Sequence, residues 1–220
     1  WKNLHGLWNE EPLDFNSAII LLENKNKILS FKTPRVDIGQ ISKITNHINL
    51  LPKNILSAFD GLNVKGIINN LNVSVPLLSI ENAQGSGLLE GFSIQPWKKI
   101  PGISNLDAYF NFADRGGLFQ IKDLKNFSVH FPQNYKEPLK FNHFSGEIDW
   151  SVINSRFLMS SPNINFTFND VSRFATRFDL NAKTQKDDIS TQLSLEVGVR
   201  NGSAKKLKNL LPITLNKDLL

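Results

Sequence analysis

Four histidines, His5, His47, His130 and His143, are the side chains best able to hold a metal or relay a proton. Metal ligation on a helix needs a repeat such as His-x-x-x-His, and no pair of them has it. His130 and His143 fall in or near alternating segments, on the polar side. The adjacent carboxylates Glu10-Glu11 and Asp187-Asp188 could in principle do acid–base work. Both pairs sit in polar, turn-like stretches, which is the setting of solvated charge. Gly85-Ser86-Gly87 with Gly91 has the outline of a phosphate-cradling loop. No buried parallel strand precedes it and no helix with the required third glycine follows, so a turn or bulge between strands is the expectation. No nucleophile elbow is present. These residues give no basis for an enzyme, a metal or a cofactor.

The informative residues are apolar. Leu106, Ala108, Phe110 and Phe112 alternate with Asp107, Tyr109 and Asn111, the period of a strand with one greasy face. Asp114-Arg115-Gly116-Gly117 then offers a turn, with the glycines supplying positive φ, and Leu118 to Ile121 starts the next strand. The same period recurs at Phe127, Val129 and Phe131, at Ile148, Trp150 and Val152, at Ile164, Phe166 and Phe168, and at Phe178, Leu180 and Ala182. It is longest over Ile189 to Val199, where Leu193, Leu195 and Val197 share a face. Lys183 to Asp188 reads as the polar turn before it. Towards the start, Ile19–Leu22 and Ile28–Phe31 flank a polar turn, Glu23 to Lys27. Asp37 is a plausible N-cap for a helical patch carrying Ile41, Ile44, Ile48 and Leu51, closed by Pro52, with a short second helix over Ile55 to Phe59. From Asp60 the period becomes two, with Leu62 and Val64 alternating. After Gly202, Leu207, Leu210 and Leu211 return to helical spacing.

The expected fold class is therefore mainly β with a few short helices: a large antiparallel sheet, one face apolar and one wet. A doubly wound parallel sheet would need crossover helices, and none fits between Asp60 and Arg200. The expected organisation is N-terminal strands plus a helical patch over 1–59, the sheet over 60–202 and a terminal helical segment over 203–220, in one continuous domain.

Composition narrows the function classes. At 220 residues, 40% hydrophobic and 20% charged, the chain can bury a core and is neither disordered nor a membrane span. Its longest apolar run, Ala18 to Leu22, is far short of the ~20 residues that cross a bilayer. The net charge of +5 is spread in singles and short pairs such as Lys98-Lys99, without the stripe of a nucleic-acid binder, so no nucleic acid is expected. Cysteine is absent, which removes disulfides and thiolate chemistry without fixing the compartment. Asn72-Val73-Ser74 and Asn165-Phe166-Thr167 match a glycan acceptor pattern by chance in an asparagine-rich chain. Sixteen Phe stand against 4 Trp and 2 Tyr, a bias towards grease over the amphipathic rings of a sugar platform. Trp1 starts in mid-pattern and Leu219-Leu220 stops where a helix continues, so both ends are expected to be cuts through a longer protein.

One stretch resembles a particular family. Gln95 to Phe119, QPWKKIPGISNLDAYFNFADRGGLF, places a Trp-containing corner, a Pro-Gly and an Asn-Leu before strand, glycine turn and strand. In the same order come Asn126 to Pro132, Lys136-Glu137-Pro138-Leu139 and Phe144-Ser145-Gly146-Glu147-Ile148-Asp149-Trp150. Gly202-Ser203-Ala204, Leu210-Leu211-Pro212 and Asn216-Lys217-Asp218-Leu219 complete the series. This succession is similar to the central domain of the YhdP-type AsmA-like proteins, within the AsmA/TamB superfamily of bacterial envelope proteins. The resemblance covers most of 60–220.

The resemblance implies a curved, repeating β-groove lined with apolar side chains. It implies the periplasmic part of an inner-membrane-anchored protein of a Gram-negative bacterium, with the anchor outside this segment. It implies movement of phospholipid between inner and outer membranes without enzymatic chemistry. The implied partners are phospholipid acyl chains, neighbouring β-groove segments of the same chain and other envelope proteins. The residues expected to line the groove are Phe110, Phe112, Phe127, Val129, Phe131, Ile148, Trp150, Phe166, Phe168, Phe178, Leu180, Leu193, Leu195 and Val197. Two other readings of the same pattern stay open: a closed β-sandwich binding or adhesion module with Trp97 or Trp150 as a glycan platform, and a structural spacer.

Overall fold

The computed structural model describes residues 2–8, 11–17, 19–23, 27–39, 53–98, 100–168, 172–183 and 191–201. The expected helical patch over 41–51, the polar turn beyond Lys183 and the terminal helix after Gly202 lie outside these residues. The described residues form fourteen strands: β1 Lys2–Trp8, β2 Glu11–Ser17, β3 Ile19–Glu23, β4 Ile28–Asp37, β5 Lys65–Pro76, β6 Gln84–Ile94, β7 Gly102–Ala113, β8 Gly116–Leu124, β9 Phe127–His130, β10 Leu139–Phe141, β11 His143–Ile153, β12 Arg156–Phe168, β13 Ser172–Lys183 and β14 Thr191–Arg200. Helix α1, Lys53–Leu62, joins β4 to β5 through the intervening segment.

Every strand pairing is antiparallel. Ten strands form one open path, β14-β13-β12-β11-β8-β7-β6-β5-β4-β3, and β9 and β10 continue it beyond the ends of β8 and β11, where β9 also pairs with β7. β1 and β2 form a separate pair, with β2 lying alongside β4. The expected fold class holds: mainly β, one large antiparallel sheet, a groove-forming face.

The sheet's local chemistry differs from expectation at three points. The β7–β8 turn is made by Asp114 and Arg115, at φ 49° and 68°, and not by the glycines that follow. Asn154 and Ser155 do the same between β11 and β12, at φ 49° and 58°. Two successive positive φ values give the turn whose twist matches the flanking strands, and short polar side chains such as Asp and Asn tolerate that region. Gly116 and Gly117 instead open β8. Gly85 and Gly87 lie inside β6, and the bulge sits further on at Gly91, with φ 59°. Leu62 closes α1 and is not part of a strand.

Further irregularities fall at Asn70, Asn105, between Gly146 and Asp149, and between Ser161 and Ile164. A bulge bends its strand and increases local twist. Bends repeated along successive strands let a wide sheet curl instead of lying flat.

The core occupies one end of this sheet. Leu89, Leu106, Ala108, Ile121, Leu124, Phe127, Phe141, Phe168 and Phe174 form one buried cluster with Ile38. Its aromatic part is closely stacked: Phe127 and Phe144 centroids are 4.5 Å apart, Phe141 meets Phe166 edge-on at 5.1 Å, and Phe166 lies flat on Phe174 at 4.7 Å. Ile38 begins a helical turn whose second amide, at Gly39, donates to Asp37 Oδ1 at 2.7 Å, so Asp37 does cap a helix start. Helix α1 is held at the same end. The Trp97 ring packs directly on Gly61, and Gln95 N donates to Leu62 O at 2.7 Å. The Trp-Lys-Lys-Ile-Pro-Gly corner thus serves as a clamp between helix and sheet.

Candidate functional site: an open apolar face

Strand register decides which side chains share a face, because residues directly opposite each other point the same way. One row can be followed across all ten strands: Ile20, Phe31, Val73, Gly85, Phe112, Gly117, Trp150, Met159, Leu180 and Leu193, each opposite the next. At ~4.8 Å per strand the row is about 43 Å long. A parallel row, Phe144, Phe166, Phe174 and Val199, runs through the buried end. The ten-strand sheet therefore carries one continuous apolar face.

Of the residues expected from sequence, Phe110, Phe112, Ile148, Trp150, Phe166, Phe168, Phe178, Leu180, Leu193, Leu195 and Val197 are brought onto this face. Phe127 and Val129 lie on β9 and pack into the buried cluster. Phe131 falls just past β9, exposed, with its ring 6.3 Å from Tyr135, and does not join the row. Burial divides the set. Phe127 and Phe168 are 4% and 8% exposed, whereas Leu193, Leu195 and Val197 are 62%, 58% and 50% exposed. The apolar face is dry at one end of the strands and open along β14. Phe31, Val73, Phe119, Phe144 and Met159 belong to the face and were missing from the sequence-based set. Phe31 and Val73 each sit in an apolar alternation that was visible; for Met159 no alternating signal stood out.

Glycines shape the floor. A Cβ on Gly117 would lie 2.8 Å from Trp150 Nε1, and one on Gly85 or Gly87 would lie 2.7 Å from Phe112 or 3.0 Å from Phe110. Each aromatic ring therefore lies across a neighbouring strand where a side chain is missing. Trp150 is consequently part of the floor of the apolar face. Trp97 is held against Gly61, with Lys98 Nζ 3.9 Å from its ring centroid.

The opposite face is a ladder of polar pairs. Glu90 Oε2 accepts from Asn69 Nδ2 at 2.8 Å and faces Arg35 Nη1 at 3.4 Å. Asp107 Oδ1 accepts from Gly91 N at 2.6 Å, fixing that bulge. Gln120 donates to Glu147 at 3.0 Å, Arg177 meets Glu196 at 2.6 Å, and Arg156 donates to Asn181 at 3.1 Å. His143 Nδ1 lies 2.8 Å from Asp123 Oδ1. Among the described residues no three His, Cys, Asp or Glu side chains group as metal ligands, and no helix is long and apolar enough to cross a membrane.

A single open antiparallel sheet with one largely apolar face, broken by the small hydroxyl residues Thr33, Ser161, Ser172 and Thr176, and one hydrogen-bonded polar face is the architecture of a β-groove. The family model described as "YhdP protein" matches residues 8–220, and the chain belongs to that family. No curated protein and no solved structure matches it.

Proposed function

We propose that this chain is a non-enzymatic segment of an envelope bridge, carrying phospholipid between bacterial inner and outer membranes with the acyl chains on the apolar face. The carrying observation is the ten-strand apolar row that remains solvent-exposed along β14. Exposing an acyl chain to water costs about 0.8 kcal/mol per CH2, so a sixteen-carbon chain needs shielding worth roughly 12 kcal/mol along its whole path. A face about 43 Å long supplies that shielding without a specific contact. Rings laid flat over glycines make a floor along which a chain can slide. On this reading the segment works in the periplasm, next to further groove segments, with a membrane anchor elsewhere in the protein.

A closed sandwich would seal Leu193, Leu195 and Val197, and a spacer has no need of a broad exposed apolar face. Native mass spectrometry with lipid extraction, on the chain purified from a bacterial host, tests the proposal. Bound phospholipid supports it. A stable, lipid-free monomer that also fails to take up added phospholipid rules it out.

A further inference from the structure

Five arginines sit on strands, and three of them have partners: Arg35 with Glu90, Arg156 with Asn181 and Arg177 with Glu196. The side chains of Arg173 and Arg200 have neither a hydrogen bond nor an ion pair among the described residues. They are directly opposite each other on β13 and β14. Like charges facing across an antiparallel pair destabilise a sheet, and an unrelieved local conflict is where function is expected.

The neighbours continue the pattern. Arg173 is opposite Thr167, and Thr167 is opposite His143, so Arg200, Arg173, Thr167 and His143 form one cross-strand row on the polar face. Thr167 Oγ1 is buried and has no hydrogen-bond partner. His143 is oriented by Asp123, which uses one ring nitrogen and leaves the other. His143, Ser145, Asn165, Thr167 and Arg173, together with Phe166 and Phe174, line a depression of about 430 Å³ at this point of the sheet.

We propose that this row is a binding site for a phosphate-type anion. Two guanidinium groups on adjacent strands supply the positive charge and several N–H donors, an arrangement suited to tetrahedral oxyanions. The Thr167 hydroxyl gives one more donor at the floor, and the anion relieves the repulsion between Arg173 and Arg200. The site lies on the face opposite the apolar row and stands whether or not that row carries lipid. A free phosphate and a phospholipid headgroup share the required chemistry.

The test titrates inorganic phosphate calorimetrically and sediments the chain with phosphatidylcholine vesicles, with and without phosphatidylglycerol. Arg173→Gln and Arg200→Gln are expected to weaken binding about tenfold or more each, the scale of a lost charge-assisted contact. Arg177→Gln, which removes a partnered arginine on the same strand, is expected to leave it unchanged. Phosphate binding with this variant pattern identifies a free-phosphate site; binding only to phosphatidylglycerol vesicles, with the same pattern, identifies a headgroup site. Thermal melts establish that each variant is folded, and Thr167→Val supplies the comparison if an arginine variant is not. Absence of binding to both ligands overturns the proposal, as does equal loss in Arg177→Gln or no loss in Arg173→Gln and Arg200→Gln.

Discussion

Leu195→Asp separates an open apolar face from a closed core. Leu195 is 58% exposed, so it keeps less than half of its possible burial. Full burial of a leucine is worth 1.5–3 kcal/mol, which leaves about 1 kcal/mol to lose here. Aspartate's poor fit to a strand adds up to ~1 kcal/mol. The total, about 2 kcal/mol, is small beside the 5–15 kcal/mol of an ordinary domain. Against an acyl chain the same carboxylate must be desolvated at a cost of several kcal/mol, which lowers lipid occupancy on the order of a hundredfold. Phe168→Asp provides the contrast. Phe168 is 8% exposed inside the aromatic cluster, where truncation alone costs about 3–5 kcal/mol before any charge is buried. Urea denaturation and lipid extraction should therefore show Leu195→Asp folded and lipid-poor, and Phe168→Asp unfolded. A Leu195→Asp chain that loses its folded state, or one that keeps wild-type lipid, refutes the reasoning.

Three further outcomes follow from the packing. Gly117→Ala places a methyl 2.5 Å from Asn111 O and 2.8 Å from Trp150 Nε1, and should cost about 1–3 kcal/mol while shifting tryptophan emission. Arg115→Gly relieves a positive φ of 68° at the second turn position and should raise stability by about 0.5 kcal/mol in chemical denaturation, after the added freedom of the unfolded chain is subtracted. Arg177→Ala breaks the 2.6 Å pair with Glu196, but both side chains are largely exposed, so the loss should stay below ~1 kcal/mol and shrink with salt.

Alternation made much of the sheet legible. Ile189 to Val199 needs no structure to be recognised as an alternating run with Leu193, Leu195 and Val197 on one side, and Leu106 to Phe112 is equally plain. Asp37 announced its helix start through side-chain chemistry alone. What remained hidden depends on the pairing between strands. The run Ile19–Leu22 is apolar throughout, so its own residues cannot say that Ile20 joins the long row; only its place opposite Phe31 does. Gly116-Gly117 carried the signature of a turn, yet Gly117 is glycine because Trp150 lies over it. Exposure is equally a property of the assembled sheet: Phe168 and Leu195 sit in the same kind of alternating segment, and one is in the core while the other faces water. The Arg173–Arg200 conflict appears only when β13 and β14 are aligned, because the two lie 27 positions apart in the sequence.

The most direct test of the groove is a photocrosslinking scan along β14, with a photoreactive residue placed in turn from Gln192 to Gly198 in cells supplied with radiolabelled phospholipid precursor. Leu193, Leu195 and Val197 share the apolar face, and Gln192, Ser194, Glu196 and Gly198 share the other. Lipid adducts confined to positions 193, 195 and 197 are the expected result. Adducts at every position alike, or at none, would contradict an acyl-chain path on this face.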